Sequence, residues 1–307
     1  MILVTGAAGF IGSHFLELLQ ARGIACWGID SLTYAADREF YHSHRDTISQ
    51  VDITDAESIG YLIRSKNIRA IVNFAAETHV DNSIRDWRAF VHANVTGTAT
   101  LLEAAVDHKI DRFLHVSTDE VFGSIDQGRF TETLKYHPRN PYSATKAASD
   151  HLVSAWHATY GLDTVITNCA NNYGPRQHRE KLIPKTITEL RANRPVPLYG
   201  DGLQIRDWIY VVDHCQAVLR ALEQGTAGES YCIGSDNETT NRELVETICD
   251  LLDKPRSLIT HVEDRPGHDR RYATDSSKIQ KLGWRPEVTL AQGLELTIDS
   301  YSRQRAE

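Results

Sequence analysis

Long apolar runs are missing from this chain. No run of about 18 apolar residues occurs, the length a helix needs to cross a bilayer, so no membrane-spanning helix is expected. Cysteine is scarce. Cys26, Cys169, Cys215, Cys232 and Cys249 are odd in number and form no C-x-x-C, which argues for free thiols in a reducing compartment. Histidine spacing such as H-E-x-x-H is absent, and no metal is expected. Positive charge is in deficit: 33 Lys and Arg stand against 41 Asp and Glu, a net charge of −8 with pI ≈ 6.0. Such a surface repels nucleic acid and anionic membranes, so neither is expected as a partner. An anionic substrate would need a local basic cluster set against that charge. Internal repeats and low-complexity segments are also absent. A strand pattern, ILVTG, begins right after Met1; no room is left for a signal peptide, and a cytoplasmic location is expected.

What is present fits a folded α/β protein. The 307 residues suit one large α/β unit or a large domain with a smaller appendage. Apolar runs at Ile2–Thr5, Ala25–Ile29, Ile71–Ala75, Phe113–Ser117 and Thr164–Thr167 alternate with helical patterns. Those patterns lie near Phe10–Arg22, Ala56–Ser65, Ala89–His108 and Tyr142–Tyr160. Buried strands alternating with helices predict a doubly wound, Rossmann-type parallel sheet over residues 1–171. After that Pro175, Pro184, Pro195, Pro197, Pro255, Pro266 and Pro286 punctuate shorter elements. Residues 172–307 therefore read as a smaller, mixed, substrate-binding lobe, with some crossing of the chain between lobes and a cleft between them.

The first strand runs into Gly6-Ala7-Ala8-Gly9-Phe10-Ile11-Gly12 and then a helix. G-x-x-G-x-x-G at a strand–turn–helix junction is a variant of the dinucleotide fingerprint. Gly6 allows the tight turn, Gly9 lets backbone approach a pyrophosphate, and Gly12 lets helix and strand pack closely. Asp30 ends the second strand pattern, where a carboxylate accepts from ribose hydroxyls and repels a 2′-phosphate. Ser31 and Leu32 follow it and bring no positive charge, so NAD is expected rather than NADP. A turn or helix-capping Asp is the alternative reading. Asp52 and Ile53 follow a third strand pattern, and Asn73-Phe74-Ala75-Ala76 ends the fourth. Asp52 could meet the adenine amino group; Ile53, Ala75 and Ala76 could equally be ordinary core.

Tyr142-x-x-x-Lys146 opens a helix, which puts phenol and ammonium on one face, one turn apart. A nearby cation is expected to lower the tyrosine pKa toward that of a working base. Upstream, Ser117-Thr118 ends a strand, followed directly by Asp119 and Glu120.

Together these residues resemble the extended short-chain dehydrogenase/reductases, over nearly the whole chain. The segments FLHVSTDEVFG, NFAAETHVDNSI, NCANNYGP, EKLIP, PLYGDGLQIRDWIYVVDHC and RPGHDRRYATD are similar to those of the dTDP-glucose 4,6-dehydratases. The resemblance implies NAD chemistry on a nucleotide sugar. Tyr142 takes the O4 proton, Lys146 supports it and Thr118 holds the 4-hydroxyl. Glu120 acts as base at C5, and Asp119 as the acid that protonates the departing C6 oxygen. Two carboxyls in different protonation states suit such an elimination. An epimerase needs no second acid–base pair, so the adjacent acids weigh against 4-epimerase and decarboxylase readings. A non-catalytic NAD-binding scaffold is the remote alternative, and dTDP and UDP both stay open.

The resemblance extends the cofactor lining to Thr33, Thr78, Asn94, Ser117, Cys169 and Asn171. It places Asn172, Lys181 and Leu182 on the diphosphate side and Pro197 and Tyr199 against the base. Arg206, Asn241, Arg265 and His268 complete the nucleotide end. Arg206 could instead pair with Asp201 or Asp207, Asn241 could cap a helix over Arg242–Leu252, and His79 could be structural. Departures from the family pattern are Asn82 for an arginine, Arg179 for a proline, and a short Ser124–Arg139 segment. Family helices of this kind pair into a four-helix bundle. Ala99, Leu101, Leu102, Leu152, Val153 and Trp156 on the two long helices accordingly predict a homodimer.

Overall fold

The computed structural model describes residues 1–303. Its first half runs β1 (Ile2–Thr5), α1 (Phe10–Ala21), β2 (Cys26–Asp30), α2 (Arg38–Ser43), β3 (Ile48–Gln50), α3 (Ala56–Ser65) and β4 (Ala70–Asn73). There follow α4 (Val80–Arg85), α5 (Arg88–Phe90), a π-helical segment Val91–Gly97, α6 (Thr98–Asp107) and β5 (Arg112–Thr118). A 3₁₀ turn, Asp119–Phe122, leads on to α7 (Pro141–Tyr160) and β6 (Thr164–Cys169).

The second half holds β7 (Asn171–Tyr173), α8 (Leu182–Arg191), β8 (Val196–Tyr199), β9 (Ile205–Tyr210), α9 (Val211–Gln224) and β10 (Ser230–Ile233). After these come β11 (Glu238–Thr240), α10 (Asn241–Leu251), β12 (Ile259–Val262), α11 (Ser277–Gln280) and α12 (Leu290–Arg303).

Seven parallel strands form the main sheet in the order β10-β6-β5-β4-β1-β2-β3. The chain reverses direction of winding between β1 and β4. In such sheets the crevice at the carboxyl ends of these strands is the place for a ligand. Apolar side chains cover both faces. Phe15, Leu16 and Leu19 of α1 pack with Val218 and Leu222 of α9 on one side. Ile59 and Ile63 of α3, Leu101 and Leu102 of α6 and Val153 of α7 fill the other. Each such side chain contributes roughly 1.5–3 kcal/mol by leaving water.

The second half builds its own core from Tyr173, Ile183, Ile187, Trp208, Leu244, Ile248 and Leu294. It carries two small sheets, β11-β9-β7 and β12-β8. β10 nevertheless returns to the main sheet and pairs with β6.

Two expectations shift in detail. β4 ends at Asn73 rather than at Ala75, because side chains divert the strand's end. Thr5 Oγ1 donates to Asn73 Oδ1 at 2.6 Å and accepts from Ala75 N at 3.1 Å. The helix expected near Ala89–His108 runs through α5 and α6 without a break in right-handed φ/ψ, but its middle is π-helical. Among the described residues no helix is long and apolar enough to cross a membrane. All five cysteines are free, and only Cys26 is not fully buried.

Candidate active site

The β1–α1 turn closes on itself so tightly that side chains are excluded. A Cβ on Gly12 would lie 2.1 Å from Gly6 O, and one on Gly6 would lie 2.9 Å from Ala75 N. Gly6 also has φ +63°, a region L side chains rarely adopt. Next to this turn opens a cavity of ≈ 480 Å³. Gly6, Gly9, Phe10, Ile11 and Gly12 form one wall, and Asp30, Ser31, Thr33, Asp52 and Ile53 continue it. Phe74, Ala75, Ala76 and Thr78 pass beneath. Ser117, Thr118, Asp119, Glu120, Tyr142, Lys146, Cys169, Asn171, Asn172 and Lys181 close the far end.

These residues fit a dinucleotide. The start of α1 presents backbone N–H groups with no partner within the helix, suited to a pyrophosphate. Each Asp30 oxygen already takes one backbone N–H, Oδ2 from Ala8 at 3.0 Å and Oδ1 from Leu32 at 2.7 Å. That fixes the carboxylate at the cavity wall with lone pairs to spare for ribose hydroxyls. Asp30 is thus a ligand-facing carboxylate and caps no helix; Asp37 caps α2 instead. Arg38 donates to Leu32 O and does not line the cavity, so its charge is not offered to a ligand beside Asp30. Asn171 Oδ1, Asn172 Oδ1 and Gln177 Oε1 are buried acceptors without a protein partner, and all three residues line the cavity. Two expected lining residues stand back from it. Leu32 is buried, at φ 56°. Asn94 spends its amide on Glu77 and Thr145.

α7 is aimed by its first turn. Asn140 accepts from Ser143 N at 2.8 Å, Ser143 returns the bond in a capping box, and Pro141 sits in the first turn. This delivers Tyr142 and Lys146 to the cavity floor, both buried. Thr118 ends β5, accepts from Glu120 N at 3.2 Å and donates to Asp119 Oδ1 at 3.4 Å. Asn140 Nδ2 reaches Glu120 Oε2 at 3.4 Å, so the helix cap also holds one acid. Asp119 Oδ2 accepts from Thr274 in the second half of the chain, at 3.3 Å.

The two acids have different surroundings. Asp119 is 1% exposed, while Glu120 is only partly buried. Burial pushes the Asp119 carboxyl far up, and the charges of Glu120 and Asp207 add to this, against a smaller opposing effect of Arg206. The Tyr142 phenol departs from the expected direction. Burial raises it well above its ordinary value, Glu120 raises it further, and Thr118 opposes. Lys146 is not among the groups that offset this rise. Nζ donates to Val116 O at 2.8 Å and lies 3.2 Å from His115 Nε2. Lys146 itself is lowered to about 8 by burial, with Asp150 and Cys169 opposing.

The nucleotide-end candidates divide. Lys181 is brought into the cavity, where Nζ donates to Thr78 O at 2.9 Å. His79, Leu182, Pro197, Tyr199, Arg206, Asn241, Arg265 and His268 lie off the cavity wall. Tyr199, Arg265 and His268 gather beside α4. The Tyr199 phenol donates to Asp81 Oδ2 at 2.9 Å, Arg265 lies 3.6 Å from Asp81, and the Tyr199 and His268 rings meet edge-on at 6.2 Å. Arg206 pairs with neither Asp201 nor Asp207. It donates to Ile205 O and Asp269 O and stacks over Tyr272. Asp201 is taken by Arg270, and Asp207 by Ser235 and Asn237. Asn241 caps nothing, because Thr240 forms the α10 capping box; Asn241 Oδ1 is buried without a partner. His79 Nδ1 accepts from Asn82 N and so caps α4. Pro197 lies in β8 opposite Thr260 of β12. Sequence reasoning missed Glu77, Gln177 and Glu180, which also line the cavity; Glu77 and Glu180 lie within the quoted segments NFAAETHVDNSI and EKLIP without being singled out.

A glycine turn under a crevice, an Asp at the second strand's end and a Tyr–Lys helix define an extended short-chain dehydrogenase/reductase. A sequence profile described as GDP-mannose 4,6 dehydratase matches residues 3–297. The dTDP-glucose 4,6-dehydratase of Xanthomonas campestris pv. campestris (strain B100) is 48% identical, covering 97% of this chain and 92% of that protein. DesIV of Streptomyces venezuelae, a dTDP-glucose 4,6-dehydratase solved as a double mutant with NAD bound, superposes with a TM-score of 0.97. It is 45% identical and covers 100% of this chain and 98% of that one. The chain belongs to the family of the dTDP-glucose 4,6-dehydratases. A UDP-glucose 4-epimerase from Thermus thermophilus, solved with NAD, also superposes, at TM-score 0.93 with 30% identity and 98% coverage of each chain. Fold alone therefore does not separate dehydration from epimerisation; the side chains must.

Proposed function

We propose that this chain converts dTDP-glucose to dTDP-4-keto-6-deoxyglucose. The observation that carries the reading is a deeply buried Asp119, held toward its protonated form, beside a less buried Glu120 on the same cavity wall as Tyr142. Hydride transfer and return need Tyr142, Thr118 and Lys146. Elimination of water needs one acid and one base more, and the two carboxyls supply them.

NAD, when bound along Gly6–Gly12 and Asp30, supplies the hydride acceptor for C4, the hydride returned to C6, and a positively charged ring that favours the phenolate. Thr118 holds the 4-hydroxyl and Tyr142 takes its proton. A ketone at C4 acidifies C5–H, and Glu120 removes that proton and later restores it. Asp119 gives its proton to the C6 oxygen, which leaves as water. The cycle ends with Tyr142 protonated and Asp119 ionised, so one proton must pass between them. The Thr118 hydroxyl, which donates to Asp119 and also bears on the Tyr142 phenol, is placed to bridge the two.

We further assign Asn172, Lys181 and Leu182 to the diphosphate side, and the Tyr199, Arg265 and His268 group with Arg206 to the nucleotide. We divide the chain into a cofactor lobe, residues 1–171, and a substrate lobe, residues 172–307, with β10 crossing back to the main sheet. A homodimer through α6 and α7, and a cytoplasmic site of action, complete the proposal. Incubation with dTDP-glucose and mass spectrometry of the product tests the reaction. Loss of one water is expected; an isomer of unchanged mass would establish epimerisation instead.

A further inference from the structure

Beneath the cavity floor lies a buried polar cluster that the reaction above leaves without a task. His115 on β5 is fully buried, and its Nε2 faces Lys146 Nζ at 3.2 Å and Asp150 Oδ1 at 3.5 Å. Asp150 sits one turn beyond Lys146 on α7 and is 1% exposed. Its Oδ2 accepts from Ser117 Oγ at 3.0 Å and Asn168 Nδ2 at 3.1 Å, while Oδ1 has no hydrogen-bond partner and faces His115. On the other side of the ring, His115 Nδ1 meets Asn73 Nδ2 at 3.2 Å, and Asn73 is tied to Thr5 at the root of the glycine turn. Neither His115 nor Asp150 lines the cavity.

We propose that His115 and Asp150 are positioning residues: they fix where the Lys146 ammonium sits, one helical turn from Tyr142, and supply the counter-charge that keeps it protonated. Removing an ammonium from water is costly unless an anion accompanies it, and Asp150, which meets Lys146 through the shared His115 Nε2, is the buried carboxylate whose charge bears on it. The ionisable groups facing the cluster are few. Cys169 on β6 faces Lys146, and Tyr136, from the loop before α7, faces Asp150. Asp119 and Glu120, on the turn after β5, bear on Tyr142. His115 is held neutral by burial and by the lysine, so Asp150 carries the balancing charge. The inference rests on the proposed reaction only through the Tyr142–Lys146 pair.

The sign follows from Lys146 at about 8, which Asp150 raises against burial. The ammonium is present below that pH and lost above it. A kcat profile of the wild-type protein on dTDP-glucose should therefore fall on the alkaline side near pH 8. Asp150→Asn keeps the shape and removes the charge. It should move that limb acidic by about one unit, seen as a roughly tenfold loss of kcat above the limb with KM little changed. His115→Gln keeps the charge and loosens the hold. It should lower kcat roughly tenfold with the limb unmoved. A folded Asp150→Asn protein whose profile superposes on wild type overturns the inference. Full kcat in His115→Gln, or a wild-type profile flat through the alkaline range, does so even where Asp150→Asn does not fold. Failure of the dehydratase reading would show elsewhere, as a wild-type product that has lost no water.

Discussion

Asp119 and Glu120 are neighbours in sequence with opposite surroundings, and the division of labour rests on that difference. Asp119 points into the protein toward Thr274, and Glu120 accepts from Asn140 at the start of α7. Asp119→Asn and Glu120→Gln should each slow product formation by roughly 10²-fold or more. Oxidation at C4 should survive in both, so reduced-nicotinamide absorbance should build up during turnover. Tyr142→Phe should abolish both signals. Wild-type rates in either carboxylate variant would remove the elimination mechanism. At this scale the sequence foretold which side chains would meet: Thr118, Asp119, Glu120, Tyr142 and Lys146, picked out from two short motifs, line one cavity. It misled on the direction of the Tyr142 pKa. Helical spacing tells that two side chains share a face, but not that one of them has turned its charge toward a carbonyl and an imidazole.

Secondary-structure elements were legible wherever periodicity ruled, as in β1, α1, α3 and α7. The π-helical segment Val91–Gly97 was not, because it keeps helical apolar spacing to within one residue. Its purpose is contact. Asn94 ties it to Glu77 and Thr145, and Gly97 leaves room for Ile53, which lines the cofactor crevice. A Cβ on Gly97 would fall 2.4 Å from Ile53 Cδ1. Gly97→Ala gains about 1 kcal/mol in helix propensity but overpacks by roughly 1–3 kcal/mol. The balance predicts a lower Tm. Displacement of Ile53 predicts weaker NAD binding, by about 1 kcal/mol or roughly fivefold in Kd. Calorimetric titration with NAD checks this, and unchanged affinity would show that the segment does not set the crevice wall.

At the scale of the whole molecule, the order of the first strands and helices was readable, but the return of β10 to the main sheet was not. A four-residue apolar strand, Ser230–Ile233, reads alike in either half of the chain; its place is fixed by pairing with β6 over long sequence distance. The same limit applies to surfaces. Of the apolar residues on α6 and α7, Leu101, Leu102 and Val153 are fully buried against the sheet and need no partner. Ala99, Leu152 and Trp156 are only partly buried, and Tyr160 stays 58% exposed at the end of α7. On neighbouring α3, Tyr61 is 64% exposed. A patch of this kind on adjacent helices suits a self-complementary interface. Trp156→Glu would place a charge beside Leu152 and Tyr160 while leaving the fully buried Val153 in place. Light scattering should then find a dimer for the wild-type chain and a monomer for the variant, with NAD affinity retained because Trp156 does not line the crevice. A monomeric wild-type chain would overturn the homodimer, and a variant that remains dimeric would move the subunit contact off these helices.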